Sequence, residues 1–215
     1  TIEIMYEHIK FKNAINMRKA NYDKFPSTKL TGMLVQGWDS IISMLKKKMD
    51  ARKVLAVDLY TGVYEEEVLD AFSKEFSGRV MNVRDLMKPE KEIQTLTERF
   101  MTEDVLFGYV TNLKLEDYLD ADKVAAARKQ ISEAKDAIVI IGTGASVVAP
   151  QDAMVVYADM ARWEIQQRFR RHEVKALGID NRNDAVSLQY KRGYFNDWRV
   201  CDRYKERLFG RVEFW

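Results

Sequence analysis

The chain has 215 residues, long enough to bury a sizeable core as one large domain, or as a domain with an extension. Hydrophobic residues at 47% and charged residues at 32% exclude a disordered polymer, and a net charge of +2 excludes a global field driving the chain onto nucleic acid or anionic lipid. A single cysteine, Cys201, allows no internal disulfide.

No apolar run approaches the roughly 20 residues needed to cross a bilayer, and the first residues lack the basic-then-apolar pattern of a secretory signal. These features predict a cytoplasmic protein with no nucleic-acid partner and no membrane partner. A start at Thr1 and a stop at Phe214-Trp215, just after an apolar pair, suggest a piece of a longer polypeptide.

Ile2, Ile4 and Tyr6 alternate with Glu3, Met5 and Glu7, the pattern of a half-exposed strand. Residues 12–37, with Pro26, Gly32 and Gly37, read as irregular. A helix over 39–49 follows, with Ile41, Ile42, Leu45 and Met49 on one stripe and Lys46, Lys47 and Lys48 in its last turn. That lysine run reads as a solvated helix end. Residues 1–50 are therefore assigned to an N-terminal extension.

The organising signal lies in residues 51–215. Strands are predicted over 54–57, 79–83, 137–141 and 153–157, most of them apolar on both faces. Helices are predicted over 65–76, 122–135, 161–173 and 187–208, and a last strand begins at Arg211. Continuous apolar strands alternating with amphipathic helices define an α/β fold, an open and mostly parallel sheet with helices on both faces.

Ligands of such sheets bind at the carboxyl ends of the strands. One such end is Asp58-Leu59-Tyr60-Thr61-Gly62-Val63-Tyr64. It stands where a phosphate-cradling G-x-x-x-x-G-K-[ST] loop would stand, but only Gly62 survives; Val63 and Tyr64 replace the phosphate-binding lysine and the metal-binding hydroxyl. Glu65, Glu66 and Glu67 open the next helix, which suits its dipole and opposes a bound phosphate.

The second strand end, Gly142-Thr143-Gly144-Ala145-Ser146, is short of a dinucleotide fingerprint because Val147 takes the third small position. It suits either a small anion approached by backbone N–H groups or a close-packed turn. Arg168, Arg170 and Arg171 form a candidate phosphate clamp, or else a solvated face carrying salt bridges.

Other candidates are weaker. Cys201 falls on the stripe Tyr194, Trp198, Cys201 and Leu208 and reads as core. His8 and His172 have no ligand-spaced partner, so no metal site is predicted. No G-x-S-x-G elbow is present. Asp58, Asp104, Asp159 and Asp197 could each serve as acid or base, and spacing does not pair them.

Residues Asp152–Arg171, a strand followed by Tyr157-Ala158-Asp159-Met160 and an arginine-rich helix, resemble the strand and lid segment of uridine-kinase-type P-loop kinases. The resemblance implies that Arg168, Arg170 and Arg171, with Arg162 at the margin, would face nucleotide phosphates. A longer resemblance is carried by Asp159-Met160-Ala161-Arg162-Trp163-Glu164-Ile165-Gln166, Tyr190-Lys191-Arg192-Gly193-Tyr194-Phe195 and Asp197-Trp198-Arg199-Val200-Cys201-Asp202-Arg203. From about residue 50 onward the chain is similar to the N-terminal region of long bacterial class I mannose-6-phosphate isomerases.

That similarity implies that residues 51–215 form a degenerate P-loop-kinase-like domain fused to a cupin isomerase domain. In that family the zinc is held by a Gln-x-His pair plus Glu and His of the cupin part, so no isomerase activity is expected of this segment alone. The expected role is binding a phosphorylated small molecule, a sugar phosphate or a nucleotide, the latter being the one cofactor left open. Gly62, Gly142, Thr143, Gly144, Ser146, Arg168, Arg170 and Arg171 are the expected phosphate ligands. Two alternatives are a divergent nucleoside or sugar kinase with Asp58 as base, and a structural or oligomerisation module.

Overall fold

The computed structural model describes residues 32–215 together with Tyr22 and Lys29. The strand expected over Ile2–Tyr6, Pro26 and His8 lie outside the described residues. Val35–Trp215 form one compact unit.

Helix α1 (Trp38–Met49) belongs to that unit, and it buries Ile42, Leu45 and Met49. Strand β1 (Val54–Leu59) follows, buried at every position. Helix α2 (Glu65–Glu75) leads to β2 (Arg79–Asn82). After helices α3 (Glu90–Met101) and α4 (Ala121–Glu133) comes β3 (Ile138–Gly142), also buried throughout. A one-turn helix α5 (Ala145–Val148) and β4 (Met154–Ala158) complete the sheet. The C-terminal part holds α6 (Arg162–Arg170), α7 (Val186–Arg192), a π-helical turn (Gly193–Asp197) and α8 (Trp198–Leu208).

The four strands lie in the order β2-β3-β1-β4 and every pair is parallel. Val57 sits opposite Ile141 on one side and Val156 on the other, which aligns the carboxyl ends of the central strands. The last strand expected from Arg211 is reduced to a parallel bridge between Phe214 and Val156, with Glu213 N–H donating to the Val155 carbonyl at 2.9 Å.

Period-2 alternation distributes the strand side chains between two cores. Leu55, Val57, Leu59, Val139 and Ile141 face α1 and α2. Ala56, Ile138, Ile140, Val155 and Tyr157 face α4, α5 and α8. Both faces are thus covered, which is why the strands read as apolar runs and not as alternating ones.

The predicted helix over 187–208 is continuous but carries the π turn at Gly193–Asp197. Between residues 83 and 121 the sequence reading assigns no element. The structure has there two 3-10 turns, Val83–Leu86 and Leu115–Tyr118, and the helix α3. That helix was legible: Pro89 stands at its N-cap and Ile93, Thr97 and Phe100 recur at helical spacing on its buried side. No helix among the described residues is long and apolar enough to cross a membrane.

Phe72 on α2 is 1% exposed and packs at the centre of the α1–α2 face. Its replacement by alanine is expected to lower the unfolding free energy by about 3–5 kcal/mol, through lost burial plus the cavity left behind. Urea denaturation of Phe72→Ala against the parent chain checks this; a change near zero would mean that α2 does not seal this face.

Candidate functional site

The loops leaving β1 and β3 depart to opposite faces of the sheet, β1 toward α2 and β3 toward α5. Adjacent strands with diverging exits open a crevice at their carboxyl ends. A cavity of about 260 Å³ occupies that place, walled by the β1 loop, the first turn of α2, Thr143 and the segment Glu173–Leu177.

Behind the cavity lies Asp58, paired in register with Gly142 and fully buried. Its Oδ1 accepts the Gly144 N–H at 3.0 Å and the Tyr204 hydroxyl at 2.8 Å. Its Oδ2 accepts the Ser146 N–H at 2.9 Å and the Ser146 hydroxyl at 2.5 Å. Burial pushes the Asp58 pKa up, and the bonds from Ser146, Tyr204 and Gly144 pull against that rise. Gly144, at φ 100°, caps α5 in the left-handed conformation that exposes these amides.

The glycine loop does present its N–H groups to an anion, and that anion is the protein's own carboxylate. Gly144 and Ser146 are therefore removed from the expected phosphate ligands, since their amide donors are already engaged. Gly142 serves packing: a Cβ there would lie 2.9 Å from Cβ of Val83. Asp58, enclosed by four donors, has no open lone pair with which to act as a base on a ligand.

The β1 loop is gripped from below by α6. Gly62 has φ 91°, and a Cβ on it would come within 2.7 Å of Cγ1 of Ile165. Arg168 donates Nη1 to the Gly62 carbonyl at 2.7 Å, Nε to Glu164 at 3.1 Å, and lies 3.6 Å from the centre of the Tyr64 ring. Arg171 pairs with Glu164 and Glu173. Arg170 is exposed, donating to Gln167 and lying 5.7 Å from the Trp163 ring. None of the three arginines lines the cavity, so they do not form one clamp there. Arg168 braces the loop, Arg171 fixes the wall residue Glu173, and Arg170 faces away.

Of the expected residues, Gly62 and Thr143 line the cavity. Its two cations are ones that sequence reasoning missed: Arg84, from the 3-10 turn after β2, and Lys175, from the loop after α6. Arg84 pairs with Glu65 at 3.1 Å and Lys175 with Glu66 at 2.6 Å. The bond from Lys175 holds the Glu66 carboxyl below its usual pKa. Glu67 accepts from the Trp38 indole at 3.0 Å, and Glu173 accepts from the Tyr64 hydroxyl at 2.5 Å. Arg84 could have been found from the strand-end rule, since it sits two residues past β2. Lys175 lies in an aperiodic loop with no sequence signal.

The remaining carboxylates lie apart. Asp104 accepts the Leu106 and Phe107 amides, Asp159 pairs with Lys205, and buried Asp197 accepts the Leu177 amide. Cys201 is buried as expected, and burial raises its thiol pKa. The His172 ring contacts the Arg182 carbonyl. No cluster of metal-ligating side chains occurs among the described residues.

Fold and site thus define an open parallel α/β domain with a small cavity, part polar and part apolar, at its strand carboxyl ends. The chain belongs to the family described as a domain of unknown function, DUF8485, whose model matches residues 37–215. No curated protein matches it.

In Asp58→Asn one carboxylate oxygen becomes an amide NH2 facing donor groups, leaving two donors unmet, either those of Gly144 and Tyr204 or the two of Ser146. At about 1–3 kcal/mol for each buried donor left without a partner, the variant should lose roughly 2–6 kcal/mol of stability in urea denaturation. Unchanged stability would mean that Asp58 does not hold the β3 loop.

Proposed function

We propose that this domain binds a phosphorylated, hydroxyl-rich small molecule at the strand-end cavity and performs no phosphoryl transfer. The observation that carries this reading is the convergence of Arg84 and Lys175, from two separate elements, beside the amino end of α2. A phosphate there would exchange with Glu65 and Glu66 for the two cations and gain the partial positive charge of the helix end. The displaced carboxylates, with Glu173 and Thr143, then offer partners to sugar hydroxyls. Within the ligand classes expected from the sequence, a sugar phosphate fits this mixture of charges better than a nucleotide triphosphate, whose added negative charge would meet three first-turn glutamates.

The architecture supports a P-loop-kinase-like ancestry: a central β1, a loop with Gly62 at its carboxyl end, a helix behind it, and an arginine-bearing helix packed against the underside of that loop. A kinase needs a lysine on the β/γ-phosphates and an accessible base. Val63 takes the place of the first, and Asp58 is enclosed by its four donors. The sequence resemblance to the N-terminal region of class I mannose-6-phosphate isomerases supports a role beside such an isomerase, sensing or retaining its sugar phosphate.

Calorimetric titration with mannose 6-phosphate, inorganic phosphate, ADP and ATP tests the reading. Arg84→Ala and Lys175→Ala should each weaken binding of mannose 6-phosphate about tenfold to a hundredfold, from roughly 1.5–3 kcal/mol per charge-assisted bond at 1.4 kcal/mol per decade. Glu66→Gln should tighten it, because Lys175 is released from its carboxylate. No heat and no shift in melting temperature with any of the four ligands would reject the proposal.

Incubation with ATP and mannose or a nucleoside should yield no product above the uncatalysed background. Turnover well above that background, with either acceptor, would restore the kinase reading.

A further inference from the structure

The segment between α3 and the 3-10 turn at Leu115 carries Val105, Leu106, Phe107, Tyr109 and Val110 with 55–71% of each residue exposed. Isolated exposed apolar residues are ordinary, but five in a run of six are not. The loop is firmly built. Asp104 Oδ1 accepts the Leu106 and Phe107 amides at 2.7 Å each, and the Thr102 hydroxyl donates to the Phe107 carbonyl at 2.7 Å. Tyr109 N–H donates to the Phe100 carbonyl at 2.8 Å and Thr111 N–H to the Phe195 carbonyl at 2.9 Å.

Beneath the loop is Lys191, a buried cation whose ammonium donates to the carbonyls of Thr102 and Asp104. Desolvating a lysine is costly, and here that cost is met in holding an apolar loop in water. Gly108 allows the fit, for a Cβ there would stand 2.3 Å from the Phe100 carbonyl and 3.2 Å from the Phe195 ring. The patch continues through Phe195 to Tyr194, 38% exposed, whose ring meets that of Phe195 at 4.9 Å.

Taking roughly 150–250 Å² for a full aromatic residue and somewhat less for an aliphatic one, these exposed fractions leave on the order of 500–700 Å² in water, most of it apolar. The largest patch on an ordinary monomer is about 300–600 Å². A standard stable interface buries about 800 Å² on each partner. The patch therefore reaches or exceeds the upper end of what a free surface carries and approaches one side of a standard interface.

Its rim carries both signs. Glu103 and Asp104 precede the apolar run, while Arg99 lies 4.5 Å from the Phe100 ring and Arg199 4.5 Å from the Tyr194 ring. A surface that meets its own copy across a two-fold axis must not repel itself, and a balanced rim satisfies that condition. We infer that this face pairs with a second copy of the chain, the preformed 102–111 loop forming the centre of a symmetric dimer interface. The face shares no residue with the strand-end cavity, so the inference stands independently of the ligand proposal.

Sedimentation velocity over micromolar concentrations tests it, on the full chain and on Phe107→Asp and Tyr109→Asp. Dimer is expected for the parent chain. Each variant should weaken association at least about thirtyfold, the effect of losing an interface residue worth 2 kcal/mol or more. Both replaced side chains are exposed, so circular dichroism and the melting profile of the variants at monomeric dilution should match those of the parent. A parent chain that stays monomeric throughout, including one that instead binds a different protein through this face, overturns the inference. So does a dimer that survives both substitutions.

Discussion

The buried carboxylate of Asp58 ties together the parts that define this domain's upper face. It sits at the end of the central strand and draws in, through four hydrogen bonds, the loop after β3 and the helix α8. Those elements are 86 to 146 residues distant in the chain. A carboxylate in a dry interior is tolerable only when its lone pairs are engaged, and the left-handed turn at Gly144 supplies the amides that engage it. The same arrangement decides what the loop cannot do. Its donors face inward, so the cavity in front of it must be served by other residues.

Those residues come from outside the glycine loops. The three glutamates at the start of α2 satisfy the helix dipole and, through Glu65 and Glu66, hold Arg84 and Lys175 in place. The cavity is thus lined by ion pairs rather than by a field of one sign. Partly exposed pairs of this kind contribute little to stability, so exchanging them for the charges of the proposed ligand would cost little. Meanwhile Ile165 and Arg168 of α6 fill the underside of the Gly62 turn. The loop is held in one shape from below while its upper surface stays open to the cavity.

A similar division governs the far end of α7. The π turn at Gly193–Asp197 inserts extra chain into the helix and rotates what precedes it relative to α8. Trp198, Cys201 and Leu208 are buried as one stripe, whereas Tyr194, expected on the same stripe, is turned outward against Arg199. The turn also places Arg192 beside Asp197 in the interior, Nε to Oδ1 at 3.6 Å, and Lys191 under the apolar loop. One irregularity in a helix therefore shapes both a buried polar pair and an exposed apolar face.

The sequence by itself determined the layers. Apolar runs at 54–57, 137–141 and 153–157 could be satisfied only between two covers, so a parallel sheet with helices on both faces followed from composition and period. The short strand at 79–82, less buried than the others, lies at the sheet edge. Sequence also identified the two loops at the strand carboxyl ends, because glycine and the end of an apolar run mark such places locally. Only the tertiary structure decided what those loops hold. Whether an amide meets a phosphate or the protein's own Asp58, and whether an arginine enters a cavity or braces a carbonyl, depends on side-chain direction and on partners far away in the chain. Arg168 and Lys175 differ little as residues in a sequence; α6 buries the one under Gly62, and the aperiodic loop after it brings the other to the cavity.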